Sequence, residues 1–285
     1  MMNCMKNRLK ARFFVMMTFA TLLTACSPVG FQAVTDTGTG VTSGTPATVP
    51  PTCTVETILR KSKILFLVDT SGSNAYATYN PVGNQSVYTQ ATDPTKSFRA
   101  GAIQNFVTTY QHKTNFHWSF ATFSEGEAYA YINSGTYQTP VFSANAAVMT
   151  DAVTRFRSQI DEGDTPYGAA IRLATKAIAN DPDLSSADKP NYYVILLSDG
   201  FPSDYVDSRG SFDATVMKSD VANLLARAPG RVSLSTIFYG TMNIPSAISA
   251  LQQIAAAGGG QSASVNVTNS SFKIDDVIAS TSACP

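Results

Sequence analysis

The sequence is poor in the residue types that most often carry chemistry. Of 285 residues, two are histidine (His112 and His117) and four are cysteine. Charged residues make up 14% and form no basic stripe or run, which argues against a nucleic-acid partner. No Gly-x-Ser-x-Gly, His-Glu-x-x-His or Gly-x-x-x-x-Gly-Lys-[Ser/Thr] occurs, so the residues for nucleophile-elbow, zinc-protease and P-loop chemistry are missing. No histidine is placed to act as a base for Ser71. These gaps weigh against an enzyme. Hydrophobic residues reach 44%, enough to build a core. The length suits one domain of about 200 residues with a processed end and a linker, or two small domains.

Charge is unevenly distributed. Residues 1–25 carry Lys6, Arg8, Lys10 and Arg12 and no acid; the rest of the chain holds 16 basic and 20 acidic residues, a net charge near −4. The four basic residues precede an apolar run, Phe13–Leu23. That order is expected of a secretion signal, and the run is short for a membrane span. Leu23-Thr24-Ala25-Cys26 follows directly and resembles a bacterial lipobox. The resemblance implies cleavage after residue 25 and acyl chains on Cys26, each buried CH₂ adding about 0.8 kcal/mol of anchoring. Ser27 in place of Asp resembles an outer-membrane address within the bacterial cell envelope, with the periplasmic and surface faces both open. The alternative is an ordinary secretion signal with an incidental cysteine. Residues 27–52 are rich in Thr, Gly, Pro and Ser without helical or strand period. They are expected to form, with Cys26, a flexible tether reaching about 25–30 Å.

From residue 53 onward the chain reads as folded. Lys63–Val68 and Tyr192–Ser198 are short, nearly continuous apolar runs, the pattern of strands covered on both faces. Alternation predicts further strands at 116–124, 127–132, 232–239 and 262–267, the first two forming a hairpin. Helical spacing predicts helices at 98–110, 144–160, 213–228, 245–257 and 271–280. Thr165 at the cap and Pro166 at the first position predict another helix, reaching about Asn180. Residues 74–96, polar and carrying Pro81 and Pro94, read as a loop. Strand and helix in alternation imply an α/β fold with a mostly parallel, doubly wound sheet. Such folds bind ligands outside the carboxyl ends of their strands, where the strand order reverses.

Asp69 and Asp199 directly follow the apolar cores of the two most apolar strands. Around them stand Ser71, Ser73 and Thr165, so the donors are two carboxylates and three hydroxyls. Gly72 is expected to let the Asp69–Ser73 loop turn sharply. An all-oxygen set points to a hard divalent cation, Mg²⁺ or Mn²⁺, with water completing the shell. Asp204 and Asp207, farther along the loop after Asp199, are candidates for a second cation. Ser186-x-x-Lys189 matches a beta-lactamase-like fragment but sits in a polar stretch without companion motifs.

Asp-x-Ser-x-Ser at 69–73, Thr165-Pro166-Tyr167-Gly168 and Ser198-Asp199-Gly200 resemble, in order and spacing, the three motifs of the metal-ion-dependent adhesion site of von Willebrand factor type A domains. The resemblance covers roughly residues 60–282. It implies a sheet ordered 3-2-1-4-5-6 with one antiparallel edge strand, which makes the first and fourth strands neighbours. It implies that Asp69, Ser71, Ser73, Thr165 and Asp199 hold the metal directly or through water. It also implies a protein partner whose Asp or Glu carboxylate takes the ion's open position. Asn74 departs from the pattern, since the family usually carries an apolar residue there. The 74–96 insertion departs as well, and Tyr76, Tyr79 and Tyr88 are candidates for a specificity rim around the ion. By the same resemblance the two ends of the domain lie close, which suits a Cys53–Cys284 disulfide. Such a bridge would constrain the unfolded chain by about 5 kcal/mol in the chain-entropy model, while free or intermolecular thiols remain the alternative. Cys4 falls in the signal.

The sequence therefore leads to a lipid-anchored envelope protein displaying one A-type domain at 53–285. Two roles remain open: binding a partner through the cation, or acting as an envelope assembly or scaffold factor in which the cation only stabilises the fold.

Overall fold

The computed structural model describes residues 60–76, 78–82, 85–269 and 271–278, with side chains left out for 78–82 and 85–89. The signal, Cys4, Cys26, the tether, Cys53 and Cys284 lie outside the described residues.

Strand β1, Ser62–Asp69, carries the sequence SKILFLVD and is almost wholly buried. Its side chains alternate between two cores: Leu65 and Leu67 enter one, while Ile64, Phe66 and Val68 enter the other. A strand buried on both faces has no polar side to show, which explains the continuous apolar run. Each fully buried Leu, Ile or Phe contributes about 1.5–3 kcal/mol. After β1 come β2 (Thr78–Val82), β3 (Gln85–Thr89), helix α1 (Ser97–Tyr110), β4 (Phe116–Ser124), β5 (Glu127–Ala130), α2 (Ala147–Ser158) and α3 (Tyr167–Ala179). Then follow β6 (Asn191–Ser198), α4 (Ala214–Leu225), β7 (Val232–Gly240), α5 (Pro245–Ala257) and β8 (Gly259–Asn266).

The main sheet runs β5-β4-β1-β6-β7-β8. All its pairings are parallel except β4 with β5, so the order among these six strands is 3-2-1-4-5-6 with one antiparallel edge, as the family resemblance implied. Helices α3, α4 and α5 pack on the Leu65 face; α1, α2 and the 3-10 turn Ile274–Val277 pack on the Phe66 face. Order reverses between β1 and β6, which lie side by side in register from Ser62 with Asn191 to Val68 with Leu197. Asp69 and Asp199 thereby leave the sheet at the same end.

Three expectations are corrected. Residues 78–89 contain an antiparallel ribbon, β2 with β3, where a loop was expected; Pro81 and the scarcity of apolar residues hide its alternation. The insertion is closed at its root by Thr92 N donating to Ser73 O and Asp93 N donating to Asn74 O, 3.1 Å each. The last element is a 3-10 turn, Ile274–Val277, rather than a helix over 271–280. Finally, α2 and α4 are shorter than the periodicity suggests. Asp213 caps α4 by accepting from Thr215 and Val216, which fixes where that helix starts, while Asn145 Oδ1 accepts the Ala147 amide at 3.0 Å just ahead of α2.

Candidate metal centre

The site is built from three loops. The first follows β1. Asp69 Oδ1 accepts the Ser71 amide at 2.7 Å, and Oδ2 accepts the Ser198 hydroxyl at 2.5 Å. Ser71 Oγ and Ser73 Oγ lie 3.1 Å apart, and Ser73 Oγ donates to Asp199 Oδ1 at 2.9 Å. Asp69, Ser71, Ser73 and Asp199 thus form one chain of contacts across two loops. Gly72 does not adopt the left-handed region, and a Cβ there would meet Gly163 O at an ordinary 3.6 Å. The expected need for glycine at 72 is therefore not a conformational one. The 3-10 turn Gly72–Asn74 makes the bend.

The second loop, 159–166, is laced to the first. Glu162 N donates to Thr70 O at 2.9 Å and Gly72 N donates to Gly163 O at 3.0 Å. Thr165 closes this loop and lies against the third: a Cβ built on Gly200 would come 3.1 Å from Thr165 Oγ1, and Ser203 N donates to Thr165 O at 2.9 Å. Thr165 is not the helix cap that the sequence suggested. Pro166 occupies the cap position without a side-chain bond, and the carboxylate of Asp204 accepts from Gly168 N at 3.0 Å and Ala169 N at 3.1 Å instead. Asp204 is consequently spent as a cap from a distant loop, and Asp207 as an acceptor for Arg209 N and Ser211 N. Both carboxylates, the candidates for a second cation, thus also serve main-chain amides.

This cap explains Gly168. A Cβ there would sit 2.7 Å from Asp204 Oδ2 and 3.0 Å from the buried Tyr205 ring. Gly168→Ala is expected to displace Asp204 and to cost about 1–2 kcal/mol, the usual value of a lost cap. Urea unfolding measures it, and an unchanged midpoint would show the cap to be dispensable.

Electrostatics set the site apart from the rest of the chain. Asp69 is fully buried and Asp199 is 3% exposed. Burial, and next the charge of Asp199, push the Asp69 carboxyl above its ordinary range against the pull of Ser198 and Ser71. Burial likewise raises Asp199, opposed by the hydroxyls of Thr92 and Ser73 and the charge of Arg99. Asp199 Oδ2 is buried without a hydrogen-bond partner among the described residues. Two crowded carboxylates with an orphaned oxygen fit a cation. No group of three or more His, Cys, Asp or Glu is clustered for a metal among the described residues. Hydroxyls and water must therefore complete any shell, which suits Mg²⁺ or Mn²⁺. Asp69, Ser71, Ser73, Thr165 and Asp199 are the residues that would hold it. Tyr76 is exposed beyond the first loop; Tyr79 and Tyr88 are paired positions in the β2–β3 ribbon.

Sequence reading missed the ionic layer behind this site. Arg99 is fully buried. Its Nη1 donates to Asp69 O at 2.6 Å, its Nε to Asp93 Oδ2 at 3.0 Å and its Nη2 to Asp161 Oδ2 at 2.8 Å. Lys96 Nζ joins Asp161 at 3.1 Å. Asp93 also accepts the Phe98 and Arg99 amides, capping α1. The Asp93-Pro94 pair just before a helix was the available signal. Asn74, also buried, bridges Asp199 and Tyr239.

No family model matches the sequence, and no curated protein matches it. Among solved structures, the chain is similar to a von Willebrand factor type A protein from Catenulispora acidiphila (16% identity, TM-score 0.47, 72% of this chain and 38% of that one). It is similar to proximal thread matrix protein 1 of the mussel byssus (16% identity, TM-score 0.47, 73% and 42%). It is also similar to the SpRpn10 VWA domain (11% identity, TM-score 0.47, 73% and 90%). The chain thus spans about two fifths of the first two proteins. Likeness at this level is one of chain trace and says nothing of ligands.

Proposed function

We propose that this chain is a lipid-anchored envelope protein whose von Willebrand factor A-type domain binds a protein partner through a divalent cation. The observation that carries the reading is the buried pair Asp69 and Asp199 at the carboxyl ends of neighbouring strands, with Asp199 Oδ2 unpartnered. Mg²⁺ or Mn²⁺ supplies positive charge there and an exchangeable position for an Asp or Glu of the partner. The protein's own groups do the rest. Ser71 and Ser73 present hydroxyls from the first loop, Thr165 presents one from the second, and Asp199 is held by Ser73. In this reading the protein acts by binding.

The test is a pull-down from envelope extract in Mg²⁺, eluted with EDTA. Asp69→Ala is expected to abolish divalent-dependent capture. Capture that survives both Asp69→Ala and EDTA would overturn the mechanism. The deep burial of the carboxylates favours a second reading, in which the ion only stabilises a scaffold. A thermal melt with and without Mg²⁺, run beside the pull-down, separates the two. Stabilisation with metal-independent capture supports the scaffold.

A further inference from the structure

Burying a primary amide is costly unless both its ends are bonded. Asn74 is completely buried, and both ends are used. Its Nδ2 donates to Asp199 Oδ1 at 3.3 Å and to Ser71 O at 3.4 Å, while its Oδ1 accepts the Tyr239 hydroxyl at 2.8 Å. Turning the amide over would set its oxygen against two acceptors, so the neighbours dictate this orientation. Tyr239 is itself immobilised. It is completely buried, its ring lies 5.5 Å from that of Phe98, and the Arg99 guanidinium sits 5.9 Å from its centroid.

We propose that Asn74, held by Tyr239, is a positioning residue of the cation site. Asp199 Oδ1 accepts from both Ser73 Oγ and Asn74 Nδ2, the Thr92 hydroxyl also favours the charged carboxylate, and Oδ2 makes no hydrogen bond among the described residues. The relay from β7 through Asn74 thereby spends one carboxylate oxygen inside the protein and leaves the other for the ion. Groups that orient metal ligands from behind typically change metal affinity 10- to 100-fold when removed. This inference rests on the cation-site reading above.

The test is calorimetric titration of the full chain with Mn²⁺ alone, for the wild type, Asn74→Leu, Tyr239→Phe and the double variant. Asn74→Leu and Tyr239→Phe are each expected to weaken Mn²⁺ binding about 10-fold. The double variant should bind as Asn74→Leu does, because the tyrosine acts only through the amide. Wild-type affinity in both single variants overturns the proposal. So does a further loss on adding Tyr239→Phe to Asn74→Leu, which would mark two independent defects. A merely structural role would lower the melting temperature of the metal-free variants and leave their affinities alone. If Asn74→Leu does not fold, Tyr239→Phe, which removes a single oxygen, decides alone, and unchanged affinity overturns the relay. A wild type that takes up no Mn²⁺ overturns the cation-site reading itself, and the relay with it.

Discussion

Arg99→Met is expected to destabilise the domain by about 3–5 kcal/mol, the usual cost of removing one partner from a buried ion network. The guanidinium cannot discharge to escape burial, and it holds four acceptors at once: the Asp93 and Asp161 carboxylates and the main-chain oxygens of Asp69 and Asp93. Without it, Asp93 keeps only its amide donors and the Ser97 hydroxyl, and Asp161 keeps only Lys96. Asp161 Oδ1 already lacks a partner, so the loss compounds an existing deficit. For a domain of this size the melting temperature should fall by roughly 10 °C. Adding Asp93→Asn and Asp161→Asn should restore a large part of the loss if uncompensated charge is the cause. A single variant that melts within 2 °C of the wild type would show that the network does not hold the fold together.

Stability of the metal-free protein should fall as pH rises from 5 toward 8, the reverse of an ordinary acid-labile domain. In the unfolded chain Asp69 titrates near 3.8. In the folded chain burial raises both Asp69 and Asp199. Between those limits the folded state holds protons that the unfolded state has released. Linkage then makes stability full below the unfolded value and lost as pH climbs through the folded one, at up to about 1.4 kcal/mol per pH unit for each proton. If the site takes Mg²⁺ as proposed, saturating Mg²⁺ should take the place of the protons, ionise the pair and flatten the slope. At a hundredfold excess over its Kd it adds about 2.7 kcal/mol. Urea unfolding at pH 5.5 and 8, in EDTA and in Mg²⁺, measures all four corners. Identical slopes with and without Mg²⁺ would refute the site.

The parts of this molecule that could be read in advance are those in which local pattern and tertiary role coincide. Lys63–Val68 and Tyr192–Ser198 are apolar because β1 and β6 are covered on both faces, and each leads straight into its aspartate. The ionic layer was illegible for the opposite reason. Asp93, Lys96, Arg99 and Asp161 have the composition of a solvated surface, and only their mutual pairing makes burial affordable. Lys63 misleads in the same way: it opens an apolar strand, yet its ammonium is buried against Asp181 at 2.5 Å and Asp183 at 2.7 Å. Asp204 could not be recognised as the cap of α3 because it arrives 36 positions after Gly168. The same holds for Tyr239, whose hydroxyl serves an amide 165 positions away.

The placement of the candidate site has a mechanical consequence. A partner pulling on the proposed ion along the axes of β1 and β6 would load these adjacent parallel strands, which lead directly into Asp69 and Asp199. The load enters β1 lengthwise. β1 is clasped on both sides, by β4 from Ser62 to Asp69 and by β6 from Ser62 to Val68. Force in that direction shears the ladders, so their bonds share the tension at once and do not open one after another as in a peeled edge. Arg99 adds a cross-tie, gripping the carbonyl of Asp69 from helix α1 at the point where the load arrives. A load arriving at the proposed site would thus be borne by the most deeply embedded strands of the sheet.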